Sequence, residues 1–142
     1  MTTAGYSGRP LAAKLGLKPG MRVCFVNPPA GYLTALGTVM ASVELLDQPA
    51  YPLECAQGFW LRRTELEAGF PTLKAALVPA GMLWVSWPKA AAHLATDLNE
   101  HIVRAIGLAH GLVDVKVCAI DATWSGLKFV YRVKDRAPLR GS

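Results

Sequence analysis

The apolar run from Met82 to Trp87 constrains the fold more than any other part of this sequence. Apolar or small residues on both faces of such a short extended segment are typical of a strand buried between two layers. Pro79–Gly81 predicts a tight turn before the run, and Pro88 ends it, so that Lys89 follows at the strand's carboxyl end. A helix, a turn, a buried strand and a polar tip form the repeating unit of an α/β sheet.

The rest of the chain supplies the helices and strands that such a sheet needs. Helices are expected at 10–16, 32–36, 64–77 and 97–111, and strands at 22–27, 43–47, 82–87, 115–120 and 127–134, with a further strand within 48–63. Thr64 with Glu67, and Asp97 with Glu100, have the spacing of capping boxes that begin helices. Pro71 must kink the third helix or divide it. The short link between the last two strands predicts an antiparallel hairpin.

This alternation predicts one α/β domain, a Rossmann-like three-layer sandwich whose mostly parallel sheet ends in a C-terminal antiparallel hairpin. A Rossmann-like sheet that closes in this way resembles the class I methyltransferase fold, here shortened in its front half. The length of 142 residues fits a single domain. Residues 1–20 would form an N-terminal helix and turn, and residues 135–142 a basic flexible tail.

Composition excludes several classes of protein. The chain is 52% hydrophobic and 18% charged, which favours a packed core over disorder. No apolar run approaches the roughly 20 residues that span a bilayer, and the first residues do not form a signal peptide. We therefore expect a cytoplasmic protein without a membrane partner. Cys24, Cys55 and Cys118 are far apart and the histidines are not at ligand spacing, so we expect reduced thiols and no metal site.

The net charge of +5 raises the question of nucleic-acid binding. Much of the excess lies near the C-terminus, in Arg132, Lys134, Arg136 and Arg140, and no nucleic-acid-binding motif accompanies it. We interpret these residues as a solvated basic end and do not expect nucleic acid as a partner. A protein or a small molecule remains open as the partner, and so do a monomer and a homodimer.

Polar and aromatic residues occur at or beside the expected carboxyl ends of the strands, where open α/β sheets bind ligands. The ligand-binding candidates are Asn27, Gly31, Tyr32, Asp47, Trp87, Lys89, Asp121 and Trp124. The alternative for each is that it caps a helix, ends a strand or packs against a loop. Trp84 and Trp87 should point to opposite faces of their strand, Trp84 into the core and Trp87 towards a possible pocket. No residue is predicted to be catalytic.

The turn after the first strand bears on the cofactor that the resemblance implies, S-adenosylmethionine. That cofactor needs a glycine-rich turn with bare backbone, whereas this turn reads Asn27-Pro28-Pro29-Ala30-Gly31. The prolines remove two N–H donors and add rings. Asp47 could still accept hydrogen bonds from a ribose. We expect no cofactor, with S-adenosylmethionine disfavoured.

The same tripeptide, Asn27-Pro28-Pro29, is similar to the Asn-Pro-Pro-aromatic motif of amino-group methyltransferases. Here Ala30 and Gly31 separate it from Tyr32, and it follows the first strand rather than a later one. We interpret it as a turn that ends the strand.

Residues 5–23, 84–89 and 111–129 together resemble a bacterial family of unknown function, the domain of unknown function 3052. The resemblance implies a small bacterial single-domain protein and brings no activity or catalytic residue with it. We expect a non-enzymatic ligand- or protein-binding module with a degenerate methyltransferase-like fold. The alternative is an S-adenosylmethionine-dependent methyltransferase with an atypical cofactor turn.

Overall fold

The structure, a computed structural model, describes residues 10–136 of the chain. Its strands are β1 (Arg22–Val26), β2 (Glu44–Leu46), β3 (Leu53–Phe59), β4 (Leu77–Pro88), β5 (Leu112–Ala119) and β6 (Trp124–Tyr131). They form one sheet in the order β2-β1-β3-β4-β6-β5. The first four run parallel, and β6 is antiparallel to both of its neighbours. The predicted α/β class, with a mostly parallel sheet and a C-terminal antiparallel hairpin, is confirmed.

Helices cover both faces of this sheet. They are α1 (Leu11–Leu15), α2 (Tyr32–Ala35), α3 (Arg63–Ala76), α4 (Glu100–Ala109) and α5 (Val133–Arg136). One core cluster joins α3 and α4 to Leu83 and Val85, and the other joins α1 and α2 to Trp84. Because successive residues of a strand point to opposite faces, these clusters lie on opposite sides of β4. The result is the expected three-layer arrangement.

Strand β4 is longer than the apolar run predicted, because the expected turn before it is a bulge within the strand. Leu53 pairs with Leu77 and Cys55 pairs with Met82, so Pro79–Gly81 are extra residues in β4. A Cβ at Gly81 would lie 3.0 Å from the carbonyl oxygen of Leu53, which is tighter than most contacts of a Cβ, so glycine fits best here. Proline and glycine therefore mark an interruption of pairing here, after which the strand continues.

Both predicted capping boxes are wrong, because the capping partners come from elsewhere. Helix α3 begins at Arg63, whose N–H donates to Asp97 Oδ1 at 2.7 Å. Helix α4 begins at Glu100 and is capped by Asn99, whose Oδ1 accepts from the N–H of Ile102 at 2.9 Å. Pro71 lies inside α3, which runs as one helix through it.

The C-terminal part departs from the predicted strand boundaries. Strand β6 ends at Tyr131, and α5 follows, so Val133 is 77% exposed rather than on the buried face of a strand. The tail predicted to be flexible from residue 135 begins within α5. Its remainder at 137–142, with Arg140, lies outside the described residues, as do 1–9 of the N-terminal segment. Within 10–136, no helix has the length and apolar character needed to cross a membrane.

Candidate functional site

The carboxyl ends of the parallel strands lie along one edge of the sheet. Strand β1 leads into the turn that starts at Asn27, β2 ends before Asp47, and β3 leads into Trp60. Strand β6 runs in the opposite direction, so its first residue, Trp124, pairs with Pro88 at the same edge. The topology therefore gathers residues that are far apart in sequence.

A cavity of about 480 Å³ opens at this edge, and we call it the aromatic cavity. Its lining residues are Asn27, Phe59, Trp60, Leu61, Glu65 and Trp124. Asn27 has a φ of 56°, a left-handed conformation that asparagine tolerates better than most residues. Its Nδ2 donates to the carbonyl oxygen of Phe59 at 3.1 Å, which ties the end of β1 to the end of β3. The Phe59 ring in turn meets the Trp124 ring edge-on, with 5.2 Å between centroids.

Two smaller cavities lie beside the end of β1. The α3 cavity, of about 250 Å³, is lined by Val26, Gln48, Pro49, Trp60, Gly69, Thr72 and Leu73. The β2 cavity, of about 140 Å³, is lined by Phe25, Pro28, Leu33, Leu45, Leu46 and Asp47. Trp60 lines both the aromatic cavity and the α3 cavity, and its side chain is 4% exposed. Its indole is therefore the wall between these two spaces.

A chain of buried polar side chains lies behind Phe59, another residue that lines the aromatic cavity. The Tyr32 hydroxyl donates to Gln57 Oε1 at 2.7 Å, and Gln57 Nε2 donates to Ser86 Oγ at 3.0 Å. Burial raises the pKa of Tyr32 far above its usual value, so the hydroxyl stays protonated as a donor. The Tyr32 ring packs edge-on against Phe59, with 4.8 Å between centroids. Tyr32 thus holds Phe59 in place, and in this structure it does not line any of the three cavities.

Of the other predicted residues, some line a cavity and others form hydrogen bonds that hold the turns of the sheet. Asp47 is exposed and lines the β2 cavity, and Gly31 is exposed at the start of α2 with a φ of 79°. Asp121 Oδ1 accepts from the N–H groups of Thr123 and Trp124, each at 2.8 Å, and so holds the turn between β5 and β6. The N–H of Lys89 donates to the carbonyl oxygen of Thr123 at 2.8 Å.

Trp87 is 5% exposed and packs in the core on the side of α3 and α4. It is not among the residues that line the three cavities. Trp84 is fully buried on the opposite side, where its Nε1 donates to the carbonyl oxygen of Leu15 at 3.0 Å. The predicted opposition of the two tryptophans and the core position of Trp84 are both found.

Sequence reasoning missed Phe59, Trp60 and Glu65, which line the aromatic cavity. The first two lie in the part of the sequence, 48–63, where proline residues obscured the third strand. The run of Phe59 and Trp60 directly after a strand-like segment was the signal that could have identified them. Gln57 was missed as well, although a single amide within a buried strand indicates a buried hydrogen-bond network.

The loop after β4 fixes the segment that carries Leu61 and Glu65. Thr96 Oγ1 donates to the carbonyl oxygen of Leu61 at 2.6 Å, and the N–H of Asp97 donates to the same oxygen at 3.3 Å. The Asp97 carboxylate accepts from Arg63 N–H at the start of α3. Two loops that meet at the cavity are therefore joined by hydrogen bonds.

Several solved structures with a similar arrangement of strands and helices are methyltransferases. Magnesium protoporphyrin IX methyltransferase from Synechocystis PCC 6803, with bound S-adenosylhomocysteine (SAH), is 13% identical, covers 86% of this chain and 80% of its own, and has a TM-score of 0.59. A methyltransferase from Aquifex aeolicus that depends on S-adenosylmethionine (SAM) is 18% identical, with coverages of 82% and 85% and a TM-score of 0.56. The chain has a methyltransferase-like Rossmann fold.

An O-methyltransferase from neocarzinostatin biosynthesis, in complex with SAM and 2-hydroxy-5-methyl naphthoic acid, extends this likeness. It is 14% identical and has a TM-score of 0.65, and the match covers 90% of this chain but 53% of that one. No protein-family model matches the sequence. No curated protein matches it either. The resemblance to the domain of unknown function 3052 is therefore not confirmed.

The prediction that the chain uses no cofactor is contradicted by these neighbours, which hold SAM or SAH in the same fold. That prediction considered only the backbone of the turn after β1, where Pro28 and Pro29 remove donors. The aromatic and α3 cavities at the same edge are lined mostly by residues outside this turn, and neither Pro28 nor Pro29 lines them.

Proposed function

We propose that this chain binds SAM at the carboxyl edge of β1, β2 and β3 and acts as a SAM-dependent methyltransferase. The observation that supports the proposal is the position of Asp47. Its exposed carboxylate follows β2 directly and lines a cavity beside the end of β1. In nucleotide-binding α/β sheets, an acid at this place accepts hydrogen bonds from ribose hydroxyls. SAM carries such a ribose.

The residues after Asp47 offer a place for the adenine. Gln48 and Pro49 line the α3 cavity together with Val26, Leu73 and the indole of Trp60. Apolar and aromatic walls with a few polar groups suit a flat heterocycle. The Gln48 amide and the Thr72 hydroxyl in the same lining can donate to its ring nitrogens and accept from its exocyclic amino group.

The turn after β1 limits how the rest of the cofactor could be held. Pro28 and Pro29 have no N–H, so the amides of Asn27, Ala30 and Gly31 are the donors that remain in this turn. A Cβ at Gly31 would meet nothing within 4 Å, so the backbone there is open to a ligand. When bound, SAM supplies a methyl group on a positively charged sulfur, and the residues of this chain bind and orient it.

Calorimetric titration of the protein with SAH and SAM tests the proposal, using Asp47→Ala and a matched control. The control is Glu44→Ala, at the other end of the same strand, where the carboxylate is 61% exposed and pairs with Arg22. Hydrogen bonds to a charged acceptor contribute roughly 1.5–3 kcal/mol, so Asp47→Ala should weaken binding by about tenfold or more. Glu44→Ala should bind as the unmodified protein does.

Two results would contradict the proposed site: no saturable binding of SAH or SAM, or binding that Asp47→Ala leaves unchanged. Methyl transfer is tested separately, by measuring whether SAH forms from SAM only when a candidate acceptor is added. Binding without SAH formation across the acceptors of the next subsection would instead favour a module that binds SAM without transferring its methyl group.

A further inference from the structure

The aromatic cavity has a charge opposite to that of the chain as a whole. The chain carries a net charge of +5, yet the cavity lining contains one carboxylate, Glu65, and no Lys, Arg or His. Three of its lining side chains are aromatic: Phe59 and Trp60 are 2% and 4% exposed, and Trp124 is half-buried and offers the most accessible ring. The ring faces carry negative electrostatic potential, which attracts a cation placed over them.

Glu65 is free to interact with a ligand. Within residues 10–136, no Lys or Arg lies within ion-pairing distance of its carboxylate. Glu67, two residues further along α3, differs because its carboxylate lies 3.3 Å from Arg63 Nε. The pairing of Arg63 with Glu67 leaves Glu65 as the uncompensated charge at the cavity.

The remaining polar group of the lining also favours a donor. Asn27 Nδ2 already donates to the carbonyl oxygen of Phe59. The Asn27 side chain then has its Oδ1 and the second N–H of Nδ2 left to offer, and Oδ1 can accept from a donor on a ligand. A carboxylate, an amide oxygen and aromatic faces are all complementary to an N–H group that bears positive charge.

We propose that the aromatic cavity binds a small, flat molecule that carries a protonated amine. The aromatic part packs against the half-buried indole of Trp124, beside the exposed edge of Trp60, and the ammonium group pairs with Glu65. The binding of this ligand does not depend on the proposed function. Its role as the substrate of the chain does rest on the proposed function. An anion of the same shape would meet the Glu65 charge without a cation to offset it, and a neutral analogue would lose the ion pair.

Three probes of one shape and different charge test this inference: phenethylamine, 2-phenylethanol and phenylacetate. Binding is followed by NMR through the indole N–H signals of ¹⁵N-labelled protein. The signals of Trp60 and Trp124 should shift, while that of Trp84, which is fully buried with its N–H donating to Leu15, should not. The amine should bind about tenfold more tightly than the alcohol, as one cation–π contact and one exposed ion pair would give. Phenylacetate should bind weakest.

Glu65→Gln keeps the shape of the side chain and removes its charge, and Glu67→Gln is the matched control on the same helix. Glu65→Gln should lower the preference for amine over alcohol to about threefold or less, the part that the rings supply. Glu67→Gln should leave the preference unchanged. The affinity of both variants for 2-phenylethanol should equal that of the unmodified protein, which shows that the cavity is intact.

The inference is overturned if phenylacetate binds as tightly as the amine, or if Glu65→Gln keeps the full preference. Absence of phenethylamine binding up to its solubility limit, or shifts confined to signals other than those of Trp60 and Trp124, would overturn it as well. Titration of the same samples with SAH separates the two proposals. Amine binding without SAH binding would refute the proposed cofactor site alone, and the reverse would refute the amine cavity alone.

Discussion

Replacing Gly58 by alanine perturbs the wall between the aromatic cavity and the α3 cavity. A Cβ at Gly58 would lie 2.0 Å from Cη2 of Trp60, 2.4 Å from Cζ3 and 2.8 Å from Cζ2. Ordinary contacts of a Cβ are 3.4–4 Å, so the indole would have to move by more than 1 Å. It has little room to do so, because a Cβ at Gly69 on α3 would already lie 3.1 Å from the same ring.

The cost follows from two opposing effects. Overpacking a well-packed site costs roughly 1–3 kcal/mol, whereas alanine in place of glycine inside a strand gains roughly 0.5–1 kcal/mol. Gly58→Ala should therefore lower the free energy of unfolding by about 1–2 kcal/mol, which is roughly 3–8 °C in Tm for a domain of this size. A displaced indole would also enter one of the two cavities and weaken the binding of SAH or of phenethylamine.

Urea unfolding of a double-mutant cycle with Trp60→Leu measures this effect. Trp60→Leu removes the ring that the new methyl group would meet, so Gly58→Ala should cost nothing in that background or even stabilise the protein by filling space. An equal cost in both backgrounds would refute the assignment of the strain to Trp60. Full stability of the Gly58→Ala single variant would refute the packing argument altogether.

Two further predictions concern buried groups of the sheet. Burial raises the pKa of the Cys55 thiol from 9.0 to about 12, so the stability that depends on the protonated thiol is complete below about pH 9 and is lost as the pH rises towards 12. Urea unfolding between about pH 8 and pH 11 should show that this group lowers the free energy of unfolding by up to about 1.4 kcal/mol per pH unit. Cys55→Ala should lessen this decline. If the free energy of unfolding falls with pH in parallel for the two proteins, the decline does not come from Cys55. Gln57→Leu leaves the Tyr32 hydroxyl and Ser86 Oγ without their partner. It should lower the free energy of unfolding by roughly 1–3 kcal/mol. A loss below about 0.5 kcal/mol would argue against a stabilising role for the hydrogen bonds of Gln57.

The sequence was informative where one local rule acts alone. The alternation of helices and strands and the short link of the final hairpin each depend on nearby residues, and both appear in the structure. Prediction failed where a distant partner replaces the local one. Asp97 caps α3 across 34 positions of sequence, so the local spacing of Thr64 and Glu67 could not reveal where that helix begins.

The candidate site shows the same division. Asn27 and Asp47 could be placed at the sheet edge because each directly follows a recognisable strand. Phe59 and Trp60 could not, since the prolines at 49 and 52 hid the strand that precedes them. Trp87 could not be assigned to the core from the sequence. Whether its side chain reaches a cavity depends on the strand order and register of the sheet, which the sequence does not show.

The reversed direction of β6 also determines where the protein can be labelled or immobilised without disturbing these cavities. Strand β6 starts with Trp124 beside the cavities and runs back along β4, where Phe129 pairs with Leu83. The chain therefore leaves the sheet at the end opposite the cavities. A fluorescent label or an immobilisation handle attached to α5, at the exposed Val133, would therefore begin at the opposite end of the sheet from the cavities. Biosensor surfaces prepared in that orientation would leave the aromatic cavity facing the solution.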